Sequence, residues 1–147
     1  YVLYEASAGK VDIQKEIQHL HDFIMLEKLR LGDRITVNLD LEEPQYDYTI
    51  EPMLYLTLVE NAFKHGAQSE ISQGWVNIKG RTIKDGYALL VENSTAPKVS
   101  VNKAGGIGLS NLRKRLDLIY QGKYQLDIVQ DDSQYSVSLI LTLSHAS

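Results

Sequence analysis

Leu58-Val59-Glu60-Asn61-Ala62-Phe63-Lys64-His65-Gly66 sets four polar or ionisable side chains into an otherwise apolar run. Just upstream, Pro52 fixes φ and lacks an N–H, which suits the first turn of a helix. Met53, Leu54, Leu56, Leu58 and Val59 carry that helix into a core, so the pattern predicts a helix over about 52–65. Gly66 then stands where a left-handed C′ residue ends a helix. Residues three and four apart share a helix face, so Asn61, Lys64 and His65 project together, with Glu60 one step around. Left unpartnered on a buried helix, such groups cost about 1–3 kcal/mol each. A phosphate ligand with its magnesium ion would satisfy them. Water would too, if this were only the polar end of an amphipathic helix. The stretch alone leaves both readings open.

The chain has 147 residues, the size of one ordinary domain, and its 44% hydrophobic and 23% charged residues are those of a globular protein with a real core. A formal net charge of −4 gives no global basic field, so neither a nucleic acid nor a direct membrane contact is expected. Basic side chains cluster only at Arg113–Arg115. With no cysteine, the chain has no disulfides, no thiol catalysis and no cysteine-held zinc or iron–sulfur site. No apolar run approaches the ~20 residues needed to span a bilayer, and no signal peptide opens the chain. It opens on Tyr1 rather than Met, as an excised piece of a longer protein would.

Working outward, residues 1–10 read as the tail of a preceding element, and Asp12 as the N-cap of a long helix to about Leu31. Ile13, Ile17, Leu20 and Ile24 mark one apolar face of it, widened by Phe23, Leu26 and Leu29. His19 and His21, two apart, point in different directions and make a poor metal pair. Gly32-Asp33 ends the helix. Ile35, Val37, Leu39 and Leu41 then alternate with polar residues, the period of a strand with one buried face. Residues 45–51 read as a loop into the central helix. Trp75–Ile83 and Tyr87–Val91 read as a hairpin turning at Lys84-Asp85-Gly86, with Leu89-Leu90-Val91 covered on both sides. Glu92 to Ala104 is a polar loop containing Pro97, of a length that usually serves as a lid. A helix opens at Gly105-Gly106-Ile107-Gly108-Leu109, and Lys123–Asp131 with Tyr135–Leu143 form a last hairpin. Helix, strand, helix, hairpin, lid, helix, hairpin predicts a two-layer α/β sandwich. Its sheet is mixed but mostly antiparallel, with helices on one face. Residues 1–31 form a leading tail and helix, and 32–147 the main domain.

A glycine cluster that delivers the chain into a helix builds an anion site, because backbone N–H groups and the helix dipole point at it. The segment is not a Walker A loop, which needs a Lys-Ser/Thr pair, nor a dinucleotide fingerprint, which follows a strand. Paired with ENAFKHG about forty residues earlier, GGIGLSNLRKRL resembles the ATP-binding fold of the gyrase, heat-shock chaperone, histidine kinase and mismatch-repair superfamily (GHKL, or Bergerat). More narrowly, LVENAFKHG with GGIGLSNLRKRLDLIY looks like the LytS-type sensor histidine kinases, which partner LytTR response regulators. FIMLEKLRLGDRI also resembles the segment entering the catalytic domain in that family.

The resemblance implies roles residue by residue. Glu60-Asn61 falls on the N box, where the Asn oxygen ligates the magnesium bridging the phosphates of ATP. Lys64 and His65 fall where phosphates are met, and Glu60 and Lys64 are the candidate catalytic pair. Gly106, Gly108 and Leu109 match the second glycine box, extended by Asn111 and Arg115. Asn93 falls at the position of an Asp that accepts a hydrogen bond from the adenine amino group, and both glycines that follow it in the family are missing. A neutral amide accepts that bond without charge assistance. Ala104 replaces a further glycine.

The function implied is the catalytic ATP-binding domain of a two-component sensor histidine kinase, with ATP and Mg2+ as cofactors. Phosphoryl transfer there rests on positioning and electrostatics. The implied setting is the cytoplasmic part of a membrane-anchored bacterial sensor that works as a homodimer. The resemblance implies that residues 1–31 lead in from an upstream dimerisation region. Its partners would be its own upstream phosphoacceptor helices and a response regulator. The family's acceptor motif is absent, so this chain is expected to bind nucleotide without phosphorylating itself. Two alternatives accompany this reading: a degenerate domain acting as a non-catalytic relay, and a protein serine kinase. Thr57 stands where the hydrolases of the superfamily carry a general-base Glu, which disfavours hydrolysis.

Overall fold

The computed structural model describes residues 9–67, 74–95 and 106–145, with 67 and 106–108 described by backbone alone. Residues 1–8 of the expected tail, and the lid residues 96–105 including Pro97, Ala104 and Gly105, lie outside the described residues. In order come β1 (Val11–Asp12), α1 (Ile13–Leu31), a short 3-10 turn, β2 (Ile35–Leu41), β3 (Tyr48–Ile50) and α2 (Leu54–Ala67). Then follow β4 (Gly74–Ile83), β5 (Gly86–Ser94), α3 (Gly106–Ile119), β6 (Tyr124–Gln130), β7 (Gln134–Thr142) and β8 (Ser144–His145).

The main sheet has the order β2-β4-β5-β7-β6. Only β2 and β4 are parallel, Val37 lying opposite Val76, and the other neighbours are antiparallel. A parallel pair needs a crossover, and α2 supplies it. The helices cover one face. Ile13, Ile17, Leu20 and Ile24 of α1 and Leu54, Leu58, Val59 and Ala62 of α2 pack there, joined by Leu109, Leu112 and Leu116 of α3. The sheet answers with Val76 and Ile78, Leu89 and Val91, and Val137, Leu139 and Leu141. This is the two-layer sandwich predicted from the element order.

Local details differ from the sequence expectations, each for a physical reason. The stretch 45–51 is not all loop: β3 pairs with β1 and β8 in a second small sheet, which seals the entry to α1. Asp12 sits at the N-cap of α1 without a side-chain cap bond. Gly32 does end α1, at φ 55 with its N–H on the Lys28 carbonyl. Leu90 is only half-buried on the face away from the helices, so β5 is not covered equally on both sides. The strand also runs on through Ser94, which removes Glu92, Asn93 and Ser94 from the expected loop and fixes Asn93 by register.

Gly66 is the clearest correction. It does not take the left-handed C′ role, for it lies inside α2 and is absent from the positive-φ glycines among the described residues. Its value is smallness: a Cβ there would stand 3.2 Å from Val76 Cγ2 and 3.4 Å from the Trp75 carbonyl oxygen. Missing side-chain bulk lets the end of α2 lie directly on β4 and β5. At the other end, Pro52 precedes the helix and Met53 adopts φ 73. The Met53 carbonyl accepts both the N–H and the hydroxyl of Thr57, at 3.0 and 2.8 Å. A left-handed backbone at a residue with a side chain costs about 1 kcal/mol.

Candidate nucleotide site

The packing of Gly66 brings the C-terminal end of α2 against Asn93, whose Cβ would lie 3.5 Å from a Cβ on the glycine. Asn93 pairs in register with Val76 on one side and Tyr135 on the other. The His65 ring lies 6.4 Å from the Tyr135 ring, centroid to centroid. Asn93, His65, Tyr135 and Thr95 therefore converge on one corner, where α2 ends over the central strands.

That corner carries unsatisfied polarity. Among the described residues, four buried side-chain atoms have no hydrogen-bond partner: Asn93 Oδ1, Thr95 Oγ1, Tyr135 OH and Thr82 Oγ1. Three of the four are here. Asn93 is 1% exposed, and its Nδ2 donates to the Ser94 carbonyl at 3.0 Å, which leaves Oδ1 as a bare acceptor. Burial pushes the Tyr135 hydroxyl up to about 12, so it stays protonated and able to donate. Buried groups of this kind are normally satisfied, and leaving each unpaired costs about 1–3 kcal/mol. A ligand edge with its own donors and acceptors removes that cost.

Around the helix from this corner, Asn61 and His65 are half-buried while Glu60 and Lys64 are exposed. Burial, reinforced by the Lys64 charge, lowers the His65 pKa, so the ring is held neutral at pH 7. Burial raises the Glu60 carboxyl, with Glu27 adding to the shift. Glu60 and Lys64 border a cleft of about 470 Å3 between α1 and α2, which Glu27, Arg30 and Arg34 also line. A larger concavity of about 680 Å3 runs along the β2 edge past Asn38, Asp40 and Lys79, and it contains none of the site residues named from the sequence. Met25 and Lys28 of α1 line it on one side, and residues of β2, β4 and β5 as far as Glu92 on the other.

The second motif enters from α3. Arg115 donates to the Pro52 carbonyl at 3.1 Å, and the Tyr120 hydroxyl accepts the Glu51 N–H at 2.9 Å. The C-terminal half of α3 thus meets the start of α2. At about 1.5 Å per residue, Gly106 lies about 13 Å up α3 from Arg115, and Asn61 about 12 Å up α2 from Met53. Leu109 and Leu112 stay buried in the common core, so α3 does not splay away. Gly106, Gly108 and Leu109 lie at the far end of α3 from the Pro52 contact, with Leu109 buried in the common core. Asn111 is exposed on α3. Arg115 is the residue not brought to this end, being engaged by Glu51 and Pro52 about 13 Å below the glycines.

The comparisons bear on this geometry. No family model matches the chain. LytS of Staphylococcus saprophyticus is 27% identical over 92% of this chain and 25% of its own length. The sensor histidine kinase YpdA of Escherichia coli is 32% identical over 76% of this chain and 21% of its own. The chain is a homologue of LytS and other sensor histidine kinases. It spans about a quarter of the length of these curated relatives. The nucleotide-free catalytic domain of the histidine kinase ThkA superposes with a TM-score of 0.63 at 12% identity, covering 90% of this chain and 93% of that domain. The histidine kinase domain of a blue-light-activated kinase from Erythrobacter litoralis gives 0.60 at 15% identity, covering 86% of this chain and 64% of that one. The fold is that of histidine kinase catalytic domains. Among the described residues, no helix is long and apolar enough to cross a membrane.

Three participants escaped the sequence reading. Tyr135 and Thr95 matter because of the β5–β7 register and the continuation of β5, which no local pattern announces. Glu16 did leave a signal: it sits three residues after Ile13 and four before Leu20, inside the apolar stripe of α1. A carboxylate in such a stripe needs a partner.

Proposed function

We propose that this chain is the Mg-ATP-binding catalytic domain of a sensor histidine kinase, transferring phosphate to a histidine carried outside it. The observation that supports it most is the trio of unpartnered buried groups, Asn93 Oδ1, Thr95 Oγ1 and Tyr135 OH, where the Asn61 helix ends. Asn93 offers an acceptor suited to the amino group of adenine. Thr95 and Tyr135 offer hydroxyls to the rest of the base edge. The neutral His65 ring and Asn61 then lead outward along α2 toward the phosphates.

Among the described residues, no three His, Cys, Asp or Glu side chains converge on a cation. A protein amide plus the phosphates is the donor set a magnesium ion accepts, since it dehydrates reluctantly and is held through few protein ligands. Asn61 would hold it, and when bound the ion neutralises part of the triphosphate charge. Lys64 reaches the same phosphates from one turn on. Gly106, Gly108 and Leu109 bring backbone N–H groups and the start of α3, with Asn111 beside them. Glu60, one step around and bordering the cleft toward α1, faces where an acceptor would approach. The residues bind and align the γ-phosphoryl group, and alignment with charge stabilisation carries most of the rate in such transfers.

The resemblance to LytS-type sensors extends the proposal to a cytoplasmic domain of a membrane-anchored, dimeric sensor that addresses a LytTR-type response regulator. The neutral Asn93 keeps one second reading alive, a relay module with the fold but without useful nucleotide affinity. Titration calorimetry with magnesium and a non-hydrolysable ATP analogue separates the two. Saturable heat that is lost in Asn61→Ala supports the kinase reading. No heat at millimolar nucleotide makes the chain a relay module instead.

A further inference from the structure

The segment ahead of α2 is gripped from two sides by side chains that the nucleotide site does not use. From α1, Glu16 is 4% exposed, and its Oε2 accepts the Met53 N–H at 2.9 Å. From α3, Arg115 holds the Pro52 carbonyl at 3.1 Å and Glu51 Oε2 at 3.4 Å, while Tyr120 takes the Glu51 N–H. Between them Met53 keeps φ 73, a conformation that persists only where the surroundings over-determine it. From Leu54 to Ala67 the helix is unbroken, so a tilt or slide at Met53 reaches Asn61 about two turns later undiminished.

We infer that Glu16 is a positioning residue: its hydrogen bond to the Met53 amide fixes the start of α2 against α1 and α3, and thereby couples the setting of α1 to the geometry of Asn61, Lys64 and His65. Its functional half rests on the nucleotide-site reading, and its structural half does not. The groups facing Glu16 are Arg115 of α3, Tyr120 just after that helix, Tyr55 of α2 and the Met53 amide. Burial pushes its carboxyl up to about 7, against the opposing pulls of the Met53 N–H and Arg115. An ionised carboxylate grips an amide more tightly than a protonated one. The grip on α2 therefore changes strength across neutral pH, which a carboxyl that merely filled space would not transmit.

Amide shifts of the nucleotide-free chain, followed by NMR across roughly pH 5 to 9 in wild type and Glu16→Gln, test the coupling. The amides of Met53, Asn61 and Lys64 are expected to move together in wild type, with one midpoint at about 7, and to show no such step in Glu16→Gln. Glu16→Ala, verified as folded by circular dichroism, should bind the magnesium complex of the ATP analogue about tenfold more weakly, while Glu16→Gln stays within about threefold. A folded Glu16→Ala with wild-type affinity overturns the inference. So does a Met53 amide that titrates while Asn61 stays still. If Glu16→Ala does not fold, the amide comparison decides alone. A wild-type chain that shows the coupled step yet ignores nucleotide sinks the nucleotide reading and leaves Glu16 in its role.

Discussion

The Gly66 carbonyl oxygen comes so close to Gly74 that a Cβ built on Gly74 would stand 2.3 Å from it. The contact joins the end of the Asn61 helix to the first residue of β4, backbone to backbone. Gly74→Ala must force them apart and is expected to lose about 1–3 kcal/mol in urea denaturation. Gly66→Ala meets the softer Val76 Cγ2 at 3.2 Å and gains helix propensity of about 1 kcal/mol, so its stability should change less. Its cost should appear in nucleotide affinity, because the displaced helix end lies against Asn93.

Asn93→Ala removes the bare acceptor from the corner. Nucleotide affinity by calorimetry is expected to fall about 10- to 100-fold, the value of one buried hydrogen bond that discriminates a base edge. The apo protein should lose about 1 kcal/mol, because the Nδ2 bond to the Ser94 carbonyl goes while the deleted oxygen has no partner. An unchanged affinity would remove Asn93 from the base-binding role.

Glu16 titrates at about 7 in the folded chain against 4.5 when exposed, so folding favours its protonated form. The stability this group contributes is full below pH 4.5 and drains away as the pH rises through 7. Glu16→Gln has no such term. Relative to wild type, the variant should gain up to about 3 kcal/mol between pH 4 and pH 8 in denaturant titrations. A stability difference that is flat with pH would contradict the buried, ionisable setting.

Arg115→Ala strands the Pro52 carbonyl without its donor and is expected to cost about 1 kcal/mol. The ion pair with Glu51 is partly exposed and should add little. The same variant removes the cation that holds the Glu16 carboxyl down. Carboxyl 13C shifts should then place the Glu16 midpoint above about 7, a readout independent of the stability loss.

The sequence was most legible where a single period ran unbroken. The alternation from Ile35 to Leu41 emerges as an edge strand with the predicted buried face, and the stripe through Ile13, Ile17, Leu20 and Ile24 as the packed face of α1. It was least legible where short range and long range disagree. Glycine after a charged helix turn reads as a stop, yet Gly66 continues its helix because a strand lies where its side chain would be. Three residues at Tyr48–Ile50 carry no usable period, and they become a strand only because β1 and β8 offer them partners. Arg115 follows the glycine helix closely in sequence, and the rise of the helix carries it to the opposite end of α2.

The sequence by itself determined the order of the elements and which polar side chains the central helix carries, because hydrophobic period and residue chemistry are local properties. Only the tertiary structure decided that Asn93, Thr95 and Tyr135 would share one dry corner, and that Glu16 would reach across to hold the first amide of the Asn61 helix. Strand register and helix packing bring together groups distant along the chain. Their unmet or shared hydrogen bonds exist only once water has been excluded from between them.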